Sequence, residues 1–182
     1  MTSEPATTRV RSVFTVGVVS DTHGHLYPEV KEALQGVDHI VHAGDIGSAQ
    51  VLAELRAIAA VTAVRGNCDY DQWAQSLPLA TMLELGGARI AVGHVGWQVQ
   101  EWAEAAARAD GAAACDALIF GHSHLALIER RMGVLHLNPG SAGPRRFNHQ
   151  RTVAWLVIRP SLATAGPSAG RPQLDAEILA VE

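Results

Sequence analysis

The sequence predicts an α/β domain. An apolar run, a helical pattern, an apolar run, a second helical pattern and a third apolar run follow one another up to Val64. That βαβαβ order implies a parallel sheet. Two glycine-centred hairpin patterns come later, and apolar runs repeatedly stop at a polar residue that could bind a metal.

Each element has its own signal. Val13 to Val19 is almost continuously apolar, as in a strand covered on both faces. Pro28 opens a helix that Gly36 closes, with Leu26, Val30 and Leu34 at helical spacing. His39 to Ala43 is the second strand. Ser48 is an N-cap for a helix carrying Val51, Leu52, Leu55 and Ile58. Val61 to Val64 is the third strand. Met82 to Leu85, Gly86-Gly87 and Arg89 to Val92 form a hairpin pattern. A helix from Gln98 to Ala109 has Val99, Trp102 and Ala106 on one face and stops at Gly111. Ala117 to Phe120 is a strand, and Leu125 to Arg131 and Val134 to Leu137 form a second hairpin around Gly133. Thr152 to Ile158 is a further strand. Residues 160–172 read as a mobile loop, and Leu174 to Val181 as an edge strand.

Bulk properties narrow the class. The chain has 182 residues, enough for one domain with a sizeable core. Apolar residues make up 48% of it, which excludes a disordered chain. The net charge of -4 gives no reason to expect nucleic acid or an anionic membrane as partner. The two cysteines, Cys68 and Cys115, lie far apart, which fits a reducing compartment and no disulfide framework. Residues 1–12 are polar, lack a signal-peptide core and read as a flexible segment before a single domain at 13–182. The expectation is a cytoplasmic protein with no membrane span.

The chemistry is concentrated at five strand ends. Val19-Ser20 leads to Asp21-Thr22-His23, Ala43 to Gly44-Asp45, Arg65 to Gly66-Asn67, Val92 to Gly93-His94, and Phe120 to Gly121-His122-Ser123-His124. In four of the five a glycine precedes the polar residue, which allows close backbone approach. Strand ends of this kind border the crevice where α/β sheets bind ligands. Asp21, His23, Asp45, Asn67, His94, His122 and His124 supply hard oxygen and imidazole nitrogen without a thiolate. That mixture suits Mn, Fe, Ni, Co or Zn rather than Ca. Seven ligands exceed what one tetrahedral ion needs, and two ions about 3.5–4 Å apart can assist displacement at phosphorus.

Each motif also has an ordinary meaning. Asp-x-His and Gly-Asp occur in common turns, Gly-Asn-Cys-Asp could be one more, and a single His94 could be a bonded core histidine. Gly121-His122-Ser123-His124 is the most specific piece, because two histidines two apart after a buried strand have little packing use. His39, His42 and His136 read as structural histidines, and His25 and His149 as rim residues.

In this order the motifs, with Gly66-Asn67-x-Asp69 and the later Asn138-Pro139-Gly140-Ser141, resemble calcineurin-like metallophosphoesterases. The spacing is similar to the small bacterial and archaeal branch of YfcE-like phosphodiesterases, to which the retromer-subunit relatives also belong. The resemblance runs from Val13 to about Ile158. It implies a four-layer α-β-β-α sandwich and two divalent ions, manganese first, with nickel, cobalt, iron or zinc as alternatives. Asp21, His23, Asp45 and His124 would hold one ion, and Asp45, Asn67, His94 and His122 the other, with Asp45 bridging. Asp45, Asn67 and His94 would also be catalytic, through in-line attack of a bridging hydroxide on a small phosphodiester. Many relatives carry histidine where Cys68 stands and a second histidine near His94; this chain has neither. Arg145 and Arg146 are candidate phosphate contacts or simply a solvated pair. A catalytically silent scaffold, a monoesterase and a homo-oligomer are the further possibilities the resemblance leaves open.

Overall fold

The computed structural model describes residues 13–111, 115–145, 150–161 and 170–182. The expected flexible segment at 1–12, most of the expected loop at 160–172, Arg146 and His149 lie outside the described residues.

The first half gives β1 (Phe14–Val19), α1 (Pro28–Ala33), β2 (His39–His42), α2 (Ala49–Arg56) and β3 (Ala60–Ala63). Proline stands in the first turn of α1, and Ser48 Oγ accepts the Val51 N–H to cap α2. A short 3-10 turn at Gln72–Ser76, absent from the sequence expectations, leads to β4 (Ala80–Leu85) and β5 (Ala88–Gly93). Gly86 and Gly87 join them, both at positive φ (56° and 84°), as a tight hairpin turn requires. Then come α3 (Gly96–Asp110), β6 (Ala117–Ile119), β7 (Leu127–Arg131), β8 (Val134–Asn138), β9 (Arg151–Arg159) and β10 (Gln173–Val181).

These strands form two five-stranded sheets, ordered β10-β9-β1-β2-β3 and β4-β5-β6-β8-β7. The strands β1, β2 and β3 are parallel, as are β5, β6 and β8. β10 lies at an edge, as its sequence suggested.

Alternating side chains build the layers. Val16, Val18 and Val41 of the first sheet pack against Ile90, Val92 and Ile119 of the second. Val19 and Ile40 face the other way and meet Val30 and Leu34 of α1 and Val51 and Leu55 of α2. Ala91 and Leu118 meet Val99 and Ala103 of α3. Three apolar interfaces between four layers make an α-β-β-α sandwich. One expectation needs correction: Trp102 does not share the buried face of α3. It is 37% exposed, and Val99 and Ala103 form that face instead. A spacing of four from Val99 carries the face through Ala103, whereas a spacing of three would put Trp102 there. No helix among the described residues is long and apolar enough to cross a membrane.

Two substitutions test this packing by chemical denaturation. Ile90, fully buried between the sheets, should lose about 2–5 kcal/mol on change to Ala. Met132 is fully exposed and sits at φ 49° beside Gly133 at φ 84° in the second hairpin turn. Met132→Asn should therefore stabilise by about 1 kcal/mol, because asparagine tolerates that conformation better. Equal stabilities of these two variants would contradict the layer assignment.

Candidate metal centre

All five predicted strand ends converge at one edge of the sandwich, three from the first sheet and two from the second. Backbone hydrogen bonds stitch them together. Asp21 N–H donates to Gly44 O at 3.0 Å, His23 N–H to Asp45 O at 3.0 Å, and Gly24 N–H to Ile46 O at 2.7 Å. Gly121 N–H donates to His94 O at 3.0 Å, and Phe120 N–H to Leu137 O at 3.0 Å.

Glycine is required where these segments touch. A Cβ on Gly66 would lie 2.1 Å from Asp45 Oδ1, and one on Gly121 would lie 1.9 Å from Ser20 Oγ and 2.7 Å from Asp21 Oδ2. Any side chain there would push the carboxylates out of place.

The ligand atoms meet closely. Asp21, His23 and His124 each offer an atom within 4.8 Å of the others, and so do Asp21, Asp45 and His94. His23 Nε2 and His124 Nε2 are 3.4 Å apart, and His124 Nε2 is 3.2 Å from Asp21 Oδ1. Asn67 Oδ1 accepts the His122 Nδ1–H at 2.9 Å, and the His94 and His122 rings stand edge to face at 5.1 Å. Asp45 is within reach of His23 in one cluster and of His94 in another. A third cluster joins His23 and Asp45 to Cys68. Cys68 is exposed, and its N–H donates to Asp45 Oδ1 at 2.7 Å, so the thiol stands at the rim rather than in the core.

The hydrogen bonding leaves lone pairs facing inward. His94 Nδ1–H donates to Ala43 O at 2.8 Å, which leaves the lone pair on Nε2. That atom is buried without a hydrogen bond, 3.4 Å from Asp45 Oδ1. Asp21 Oδ1 is likewise buried with no partner. Neither carboxylate pairs with a lysine or arginine among the described residues. Two buried carboxylates beside the His94 lone pair favour a cation between them, so the residues present fit divalent metal ions. Burial alone would raise the pKa of Asp45; His94 and the Cys68 N–H outweigh that and hold it well below the usual carboxylate range. Burial pulls the His94 pKa down, but Asp45 and the Ala43 carbonyl outweigh it and the net shift is upward.

The backbone is unusual at the same residues. Among the described residues six non-glycines have positive φ, and five of them are Asp21 (56°), His23 (46°), Asp45 (52°), His122 (70°) and His124 (59°). Side chains rarely adopt this region.

Several residues outside the seven candidates support the centre. Asp69, 4% exposed, accepts N–H bonds from Gly66, Ile46 and Gly47, at 2.7, 3.2 and 2.8 Å. It ties the loop after β3 to the loop after β2. His42 is fully buried; its Nδ1 accepts from Gly44 N–H and its Nε2–H donates to Thr22 Oγ1, which donates to Ile46 O. Burial pushes its pKa down to about 4, so it is a neutral structural histidine. Asn138 donates to Gly121 O and Ser123 Oγ, and Ser141 Oγ donates to Asp21 O. The Asn138-to-Ser141 segment thus clamps two ligand loops. His39 bonds Thr62 and His136 packs by Phe120, both outside the centre. His25 is exposed, bonded to the His23 carbonyl. Arg145 lines a small cleft with His124 and Ser141.

The comparisons agree with this geometry. Residues 14–160 match the model of the calcineurin-like phosphoesterase superfamily domain. A probable metallophosphoesterase of Methanocaldococcus jannaschii is 35% identical over 132 residues, 69% of this chain and 67% of that protein. A second protein of that organism, named a phosphodiesterase, is 27% identical over 142 residues, 69% of this chain and 82% of its own. Vacuolar protein sorting 29 from Cryptosporidium parvum shares the fold with a TM-score of 0.65 at 19% identity, covering 93% of this chain and 100% of that one. The chain belongs to the calcineurin-like phosphoesterase superfamily.

Proposed function

We propose that this chain hydrolyses a small phosphodiester at a two-metal centre. The observation that carries the reading is the pair of buried, unpartnered atoms, Asp21 Oδ1 and His94 Nε2, each within 3.4 Å of another ligand atom. The similarity to a protein named a phosphodiesterase supports it.

Two divalent ions, manganese first, would supply a hydroxide nucleophile at neutral pH and neutralise the phosphoryl oxygens. Asp21, His23 and His124 would hold one ion, Asn67, His94 and His122 the other, and Asp45 would serve both. Ala43 O orients His94, and the Cys68 N–H together with Gly66 positions Asp45. Arg145, which lines a cleft with His124, would pair with a phosphate oxygen. Cys68 stands at the rim, where a histidine could protonate a departing oxygen; a thiol is a weak donor. That favours diesters with good leaving groups over alkyl monoesters.

Chelation should abolish hydrolysis of bis(p-nitrophenyl) phosphate, and manganese or a similar ion should restore it. Asp45→Ala should lose activity and bound metal, measured by elemental analysis, whereas exposed His25→Ala should keep both. Full activity of metal-stripped protein, or equal metal content in the two variants, would sink the two-metal reading.

Cys68→His tests the leaving-group role. Because the side chain is exposed, an imidazole has room there. The folded, metal-loaded variant should gain up to about 10²-fold on substrates with basic leaving groups and little on nitrophenyl esters. An unchanged dependence of rate on leaving-group pKa would show that position 68 does not set substrate class.

A further inference from the structure

The seven ligands do not account for what lies beside them. A cavity of about 390 Å³ opens next to the Asn67, His94 and His122 half of the centre. Its outer wall is Leu79 and Trp97, which are 65% and 62% exposed. Arg65 and Gln98 add polar groups to the lining, and no carboxylate does. We propose that this cavity is a subsite for the nucleobase of a small nucleotide-type phosphodiester, stacked on Trp97 while its phosphate sits at the metal centre. The proposal deepens, and rests on, the phosphodiesterase reading.

Placement favours a substrate group over an unrelated ligand. The same cavity is bounded by three of the metal ligands, so an ester held at the centre extends into it without a second opening. Trp97 is the second residue of α3 and Leu79 immediately precedes β4, so both stand at the ends of regular elements. Large apolar side chains left open to water beside a polar centre mark a binding surface. A flat indole face suits a planar partner, and base-on-aromatic stacking is tolerant of which base it holds.

The polar groups choose a base over an alkyl chain. Arg65 is held in place: its Nη1 donates to Gln75 Oε1 at 2.5 Å and its backbone N–H to Pro78 O at 3.0 Å. Together with the Gln98 amide it offers donors and an acceptor to the ring nitrogens and carbonyls of a base. An alkyl group of equal size would make no use of them. The volume is within the usual range for small-molecule sites and too small for a folded partner.

The test is calorimetric binding of AMP, phenyl phosphate and methyl phosphate to the manganese-loaded protein, with Trp97→Ala and Trp97→Phe alongside. All three ligands share the phosphate contact, so differences among them read the cavity. AMP should bind roughly tenfold more tightly than methyl phosphate. Trp97→Ala should erase that margin, Trp97→Phe should keep most of it, and methyl phosphate should bind all three proteins equally. Arg65→Ala should weaken AMP but not phenyl phosphate. Equal affinity for AMP and methyl phosphate overturns the subsite. Phenyl phosphate matching AMP, with neither sensitive to Arg65, reduces it to a general aryl site and overturns the nucleobase assignment. The parent reading fails separately: Trp97-dependent AMP binding without metal-dependent diester hydrolysis would leave the subsite standing and remove the phosphodiesterase function.

Discussion

Two carboxylates are buried at the edge of this sandwich, and among the described residues no lysine or arginine pairs with them. Asp21 is 0% and Asp45 3% exposed. An isolated buried carboxylate is costly enough that a protein normally pairs it or protonates it. Here the surroundings favour the ionised form of Asp45, through the Cys68 N–H and the neighbouring His94. The fold therefore maintains negative charge at a point that an added cation would balance. The rest of the local structure follows from keeping these groups in place.

Neither sheet could do so alone. The first sheet brings Asp21, His23, Asp45 and Asn67 to the ends of β1, β2 and β3, and the second brings His94, His122 and His124 to the ends of β5 and β6. The two sheets face each other through a core of interleaved valine, isoleucine and leucine. That core fixes the separation between the two sets of ligands. At the edge, the cross-sheet bonds are direct: His94 Nδ1–H reaches Ala43 O, and His122 N–H reaches Asp21 Oδ2 at 3.1 Å. Stability of the interior and geometry of the centre are thus one construction rather than two.

The sequence made some of this legible and hid the rest, for physical reasons. Apolar runs that end on Gly-Asp, Gly-Asn or Gly-His are local patterns, so the strands and the candidate ligands could be read directly. The strand order of the second sheet, in which β8 lies between β6 and β7, depends on long-range pairing that no local pattern encodes. Trp102 misleads because it stands at helical spacing from Val99 just as Ala103 does, and only packing on Ala91 and Leu118 selects Ala103. Asp69 and His42 looked ordinary because their value lies in what they bond across 20 or more residues of chain. Asn138 to Ser141 stood out only as part of a resemblance; its hydrogen bonds to the Gly121 and Asp21 loops give it a reason.

The left-handed residues set the candidate centre apart from the rest of the described backbone. Asp21, His23, Asp45, His122 and His124 each adopt a conformation that costs an L side chain of order 1–3 kcal/mol relative to relaxed backbone. Glycine would avoid most of that cost, and the chain uses glycine freely next door, at Gly24, Gly44 and Gly47. Packing cannot explain the choice, because His122 is exposed and His23 and His124 are only half-buried. Hydrogen bonding accounts for only part of it, since Asp21 Oδ1 and His94 Nε2 are buried without a hydrogen bond. A single strained residue could be an accident of a turn, as at Met132. Five in three separate loops, all aimed at one point and all oxygen or nitrogen donors, share one cause: the side chains are needed at that point, and the backbone is bent to deliver them.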